Sequence, residues 1–285
     1  MPIDHDTQRR LRQAMAQLNP PWDVTASHGF SYLSGGYSNE NYRFEVAGEA
    51  YVIRLPRQYQ DETGGRQLEQ MIYREPGALR VPALVAMDAD SGLLISRWVE
   101  GPLLIEQPPT TSQLLAYLRN IASALGERPA SSGTHYDPVA VSQRRLEIAP
   151  GKIPNAVAAC VARLNWQPEH IVWCHNDLNP WNVIAPSADP RSWVTLDWEW
   201  PALNDPLFDV VTLHQGLGRD PSELDDIAEA VMERTIDSMR VQQNLLAFWL
   251  REYGWAFGRW HAGDRRAEIA EQMRRAQASL DRALV

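Results

Sequence analysis

Short apolar runs alternate with polar positions over the first hundred residues, and helical spacing dominates the rest except between 170 and 200. An amphipathic stretch at 4–18 stops at Asn19-Pro20-Pro21. FSYL (30–33), YRFEV (42–46), AYVIRL (50–55), VPALV (81–85) and GLLIS (92–96) then read as strands, with a helix over 65–75 between the third and fourth. Beyond Pro102 the spacing predicts helices over 112–125, 154–164, 222–239, 241–261 and 265–284, with a turn-rich loop at 133–138. The pattern is that of an α+β protein. A β-rich part covers 1–98 and a mostly helical part covers 99–285.

The interruption carries the chemistry. IVWC (171–174), NVIA (182–185) and WVTL (193–196) are short β-branched runs, and Asp189-Pro190 favours a turn between the last two. Folded as an antiparallel hairpin, they bring Asn182 and Asp197, fifteen positions apart (197 − 182), to its open end. An amide oxygen and a carboxylate are hard donors that suit a Mg²⁺ whose other ligands are waters and phosphates. Asp177 lies one loop earlier, in reach of a proton from an acceptor hydroxyl. His175 opens that loop and is expected to fix it by hydrogen bonding, with Asp209 as a structural acceptor for loop groups.

Composition narrows the partners. Lys+Arg 27 against Asp+Glu 36 gives a net charge of −9, which argues against a general nucleic-acid binder or an anionic-membrane binder. Cys160 and Cys174 show no zinc or redox spacing, no run approaches membrane-spanning length, and the N-terminus lacks an apolar signal region. A cytoplasmic protein is expected. Lys152 is the only lysine, so any phosphate-binding cation on the early strands must be an arginine.

The residues His175-Asn176-Asp177, Asn182, Asp197-Trp198-Glu199 and Asn204-Asp205-Pro206-Leu207-Phe208-Asp209 resemble the aminoglycoside phosphotransferase and choline kinase superfamily. The small-molecule branch, with thiamine kinase-like and choline kinase-like members, is the closest in pattern. The resemblance implies a two-lobe, protein-kinase-like fold with ATP between a small sheet lobe and a larger helical lobe. It implies Asp177 as catalytic base, with Mg²⁺ on Asn182 and Asp197. Ser34, Gly35, Gly36, Ser38 and Asn39 fall where the nucleotide-covering loop would lie, and Arg54 where the phosphate-contacting basic residue lies, with Arg43 as its competitor. Glu69 would pair with Arg54, Glu75 being the alternative. The backbone at Arg97, Trp98 and Val99 would meet the adenine edge. Glu199 would face the acceptor or a second metal.

The stretch 248–261 is rich in aromatics, and Trp249, Tyr253 and Trp260 recur at helical spacing. They are either core or a wall for a cationic acceptor. Together these features point to phosphoryl transfer from ATP to a small alcohol, with thiamine first and choline-like amino alcohols second. An aminoglycoside or homoserine kinase and a nucleotide-binding pseudokinase are the alternatives.

Overall fold

A computed structural model describes residues 3–34, 39–57, 65–129 and 134–283. The chain divides into two compact units, one formed by 1–124 with 179–201 and the other by 125–178 with 202–285. The expected boundary at 98 thus differs from the contact division, which groups 99–124 and 179–201 with the strands.

In the first unit α1 (His5–Leu18) is capped by Asp4 and ends on Asn19 in the left-handed region. β1 (His28–Leu33), β2 (Asn39–Val46), β3 (Glu49–Pro56), β4 (Leu84–Asp88) and β5 (Leu93–Arg97) form one antiparallel sheet in the order β1-β2-β3-β5-β4. The full register of β2 on β3, from Asn39 opposite Pro56 to Val46 opposite Glu49, is set by the tight turn at Ala47-Gly48. One sheet face buries Phe30, Phe44, Tyr51 and Ile53 together with Leu11 and Met15 of α1. β4 starts at Leu84 rather than Val81. α2 (Arg66–Arg74) fills the 65–75 stretch, and α3 (Thr111–Gly126) follows the linker.

The segment 179–201 is pinned within the same unit. β7 (Val183–Ile184) and β8 (Val194–Thr195) pair antiparallel, as the hairpin reading expects. Leu104 N–H donates to the Val183 carbonyl, Thr195 N–H donates to the Arg80 carbonyl, and the Tyr117 and Thr195 hydroxyls lie 2.8 Å apart. Gly101 (φ 142°) permits this contact, because a Cβ there would stand 2.9 Å from Pro186 Cα.

The second unit holds α4 (Pro138–Leu146), α5 (Asn155–Arg163), α6 (Pro206–Gly216), α7 (Leu224–Met232), α8 (Ser238–His261) and α9 (Ala267–Ala283), with β6 (Val172–Cys174) paired to β9 (Ala202–Asn204). α8 is the central helix and packs on α4, α6, α7 and α9. The helix expected over 222–239 ends early, at Met232, and the one expected over 241–261 starts early, at Ser238. Glu233 turns left-handed at φ 53°, and Asp237 caps a new helix by accepting from Met239 N–H. α4 and α6 are additions to the predicted set.

His214 of α6 is fully buried; its Nδ1 sits 2.9 Å from Gln215 Nε2, and its Nε2 makes no hydrogen bond. Burial, assisted by the nearby Arg219, pulls its pKa from 6.5 down to about 4. The neutral ring is therefore favoured in the fold, while the unfolded chain takes up the proton first as the pH falls. His214 contributes stability above about pH 6.5 that is lost toward pH 4, at about 1.4 kcal/mol per pH unit inside that window. Thermal unfolding midpoints should fall between pH 6.5 and 4.5, and His214→Phe should flatten that fall. An equal slope in both proteins would remove His214 as its source.

Candidate active site

In the first unit the sheet and α2 place a buried charge cluster beside the hairpin. Arg54 on β3 is 5% exposed and forks onto Glu69 of α2, with Nη1···Oε1 at 2.6 Å and Nη2···Oε2 at 2.8 Å. Glu69, rather than Glu75 at the end of α2, is thus the partner of Arg54. Arg54 Nη1 also lies 3.8 Å from Asp197 Oδ1 and 3.5 Å from Glu199 Oε1. Burial alone would lower the Arg54 pKa, but Glu69, then Glu199 and Asp197, drive it up. The Glu69 carboxyl is likewise pushed up by burial and held down, on balance, by Arg54 and Arg66.

Arg66 is a residue that the sequence reading missed. It reaches Glu69 and Glu199 at 3.0 Å each, and the i,i+3 spacing to Glu69 was its one sequence signal. Two arginines (Arg54, Arg66) and three carboxylates (Glu69, Asp197, Glu199) meet in this cluster. Glu199 was expected to face an acceptor or metal. Its carboxylate is instead engaged by Arg66, Arg54 and the Asn39 amide, which donates to it. Asn39 accordingly opens β2 and holds Glu199 rather than lining a phosphate loop. Ser34 lies in the turn after β1; Gly35, Gly36 and Ser38 lie outside the described residues.

At the hairpin, Leu196 N–H donates to the Asn182 carbonyl at 2.7 Å, which extends the β7–β8 pairing to the residue before Asp197. Asp197 adopts φ 57°, a left-handed conformation that a non-glycine residue holds only where its surroundings impose it. Among the described residues no group of three or more His, Cys, Asp and Glu side chains is arranged to hold a metal.

The proposed adenine linker leaves β5. Arg97 and Trp98 donate their backbone N–H groups to Ala83 and Ala50, and the Arg97 side chain pairs with Glu49. The Trp98 ring carries Arg43 5.7 Å from its centroid and donates Nε1–H to Glu100 at 2.6 Å. Arg43 also pairs with Glu45 at 2.8 Å, so Arg54 is the arginine facing Asp197. Val99 is half-buried.

In the second unit the loop after β6 is held by buried partners. His175 N–H and Asn176 N–H donate to the two oxygens of Asp209 at 2.7 and 2.8 Å, the acceptor role expected for Asp209. Burial raises the Asp209 pKa against the pull of His175 and these N–H groups. His175 is fully buried, and its Nδ1 accepts the Asp177 N–H at 3.2 Å, so the ring fixes the loop. Asn176 sits at φ 62°, locked by Asn204 Nδ2 on its Oδ1 at 2.8 Å and by the Arg251 guanidinium on its carbonyl. Asp177 is partly exposed and meets Arg251 Nη2 at 3.1 Å.

The aromatic wall is corrected. Trp249 and Tyr253 are 6% and 2% exposed, so their rings belong to the core of the second unit. Arg275 lies 5.5 Å from the Trp249 centroid and Tyr253 packs on Phe257 at 5.7 Å. Trp260 is half-buried under Arg265, 4.5 Å from its centroid. Helical spacing gave these residues one face, and packing of α8 against α4 and α9 turned that face inward. The exposed tryptophan among the described residues is Trp181, at 48%, one position before Asn182.

The chain resembles known proteins over much of its length. Protein LicA of Haemophilus influenzae is 27% identical over 204 residues, covering 65% of this chain and 58% of that protein, so the match spans little more than half the relative's length. The choline kinase LicA of Streptococcus pneumoniae superposes with a TM-score of 0.70 at 16% identity, over 97% of this chain and 99% of that one. A thermostable mutant of aminoglycoside phosphotransferase APH(4)-Ia, in ternary complex with ADP and hygromycin B, gives 0.68 at 17% identity, over 97% of each chain. These two share the fold, which is the kinase-like α+β architecture expected. The model of the phosphotransferase enzyme family matches residues 29–260, and the chain belongs to that family.

Proposed function

We propose that the protein transfers the γ-phosphoryl group of ATP to the hydroxyl of a small cationic alcohol, with Asp177 as base and Mg²⁺ on Asn182 and Asp197. The observations that carry the transfer are the rigidly held carboxylate loop of the second unit and, in the first unit, the Arg54–Glu69–Asp197 cluster, on a chain of the phosphotransferase family. Hard oxygen donors fit Mg²⁺, which when bound would neutralise developing phosphate charge. Arg54 is held by Glu69 at a fixed place from which to orient phosphate oxygens. Asp177 accepts the acceptor's hydroxyl proton as the new P–O bond forms.

The acceptor class follows from charge and surface. Asp177 and Glu252, two carboxylates, both contact the Arg251 guanidinium, at 3.1 and 2.7 Å. Trp181 offers an exposed π-face next to Asn182 in the chain. A cation over such a face gains about 0.5–2 kcal/mol. A structural neighbour, the choline kinase LicA of Streptococcus pneumoniae, supports the same class. The second candidate is thiamine, also cationic; an aminoglycoside or homoserine is the alternative.

An ATP-consumption assay with choline, ethanolamine, thiamine, homoserine and kanamycin tests this reading. Saturable turnover is expected with choline or thiamine. Turnover confined to homoserine or kanamycin would overturn the cationic-alcohol class, and none with any acceptor would favour a nucleotide-binding protein without transfer. No helix among the described residues is long and apolar enough to cross a membrane, and activity in detergent-free buffer is expected.

A further inference from the structure

We propose that Arg251 is a positioning residue for the catalytic base, an inference that rests on the reading of Asp177 given above. Arg251 projects from α8 with a side chain 8% exposed, and its guanidinium makes several polar contacts, one of them a hydrogen bond with Tyr136. Nη1 donates to the backbone carbonyl of Asn176, Nη2 lies 3.1 Å from Asp177 Oδ1, and Nε and Nη2 donate to Glu252 Oε1 at 3.1 and 2.7 Å. Its carbon stands 5.4 Å from the Phe208 ring centroid and 5.7 Å from that of Phe248. A planar fork held between two rings has little freedom, so the groups it grips share that rigidity.

What it grips is the base and the peptide preceding it. Asp209 fixes the loop through the N–H groups of His175 and Asn176, and Arg251 fixes it through the Asn176 carbonyl. These bonds set the backbone, including the left-handed Asn176, but not the side-chain torsion of Asp177. The Nη2···Oδ1 contact does set it. Arg251 therefore links the orientation of the carboxylate to that of its peptide. A misplacement of about 1 Å costs about 100-fold in rate when a reacting group must meet its partner in line. Glu252 completes the arrangement: its Oε2 accepts from Gln272 Nε2 at 2.7 Å, so α9 holds the carboxylate that holds the guanidinium.

The sequence had no signal for this residue. Arg251 is one arginine among many, 74 positions (251 − 177) from the base. A plainly structural buried ion pair would also destabilise the protein when broken, so activity loss alone does not separate the two roles.

A double-mutant cycle does. Wild type, Asp177→Asn, Arg251→Ala and the double variant are compared with ATP and the acceptor turned over fastest in the panel above. Arg251→Ala is expected to lower kcat about 100-fold while the KM for ATP stays within about threefold. Added guanidinium at a non-denaturing concentration should restore at least about tenfold of that loss, and the double variant should be no slower than Asp177→Asn alone. Arg251→Lys keeps the charge without the fork; it should fall between wild type and Arg251→Ala, and it replaces Arg251→Ala in the cycle if the latter does not fold. Losses that add fully, with Asp177→Asn nearly inactive, would overturn the role of Arg251 and leave the base standing. Asp177→Asn with near-normal turnover would overturn both.

Discussion

Asp177→Asn is expected to lower kcat by about 10²–10⁴-fold with little change in ATP binding. Asn is close in shape and keeps the backbone N–H that donates to His175 Nδ1. It also leaves the Asp209 anchors on His175 and Asn176 untouched. What is lost is a carboxylate able to accept the hydroxyl proton. Arg251 loses one of its two carboxylate partners but keeps Glu252 at 2.7 Å, so the variant should fold with a modest fall in its unfolding midpoint. Calorimetric titration of ATP with Mg²⁺, alongside steady-state turnover, separates the two effects. Turnover within a few-fold of wild type in a folded variant would remove Asp177 from the chemistry.

Asp197→Ala should be as severe on turnover and, unlike Asp177→Asn, should also abolish the Mg²⁺ dependence of ATP binding. Two causes add. The cluster around Arg54 and Arg66 loses the carboxylate that faces the hairpin end, so the three carboxylates against two arginines become two against two. A negative charge that suits a cation is gone. Alanine must also hold φ 57°, which costs a side chain unable to bond its own backbone about 1–2 kcal/mol. Asp197→Asn separates these causes, since Asn tolerates that backbone but supplies no charge. Loss of Mg²⁺-dependent binding in both variants assigns it to the charge, and loss in Asp197→Ala alone assigns it to the backbone. Wild-type binding of ATP with Mg²⁺ by Asp197→Ala, read by calorimetry, would remove this residue from the metal site.

Much of this was legible along the chain because its causes are local. The Ala47-Gly48 turn and alternating side chains give the β2–β3 hairpin its register. The Asp189-Pro190 turn gives β7 and β8 theirs, which sets Asn182 opposite Leu196, the residue before Asp197. The Arg54–Glu69 pair needed only an inward-facing strand position and a helix behind it. Where local signals failed, the reason is equally physical. α6 has nine of its eleven residues buried, so it shows no polar face for periodicity to detect. The Asp137-Pro138 cap of α4 was present in the sequence but lay in a stretch read as a loop. The break at Glu233 needs no glycine and leaves the helical spacing on either side intact.

By itself, the sequence determined the α+β class, the hairpin and the residue types that phosphoryl transfer requires, because each depends on neighbours a few positions apart. Only the tertiary structure decided what those residues touch. It joined 179–201 to the unit of the sheet through the close approach at Gly101 and the Tyr117–Thr195 contact. It drew Glu199 into an arginine cluster and buried Trp249 and Tyr253 in a helical core. It also brought Arg251 to the carboxylate of Asp177. A charge's partner and a ring's exposure are set by packing between segments far apart in the chain, and no periodicity along the chain encodes that distance.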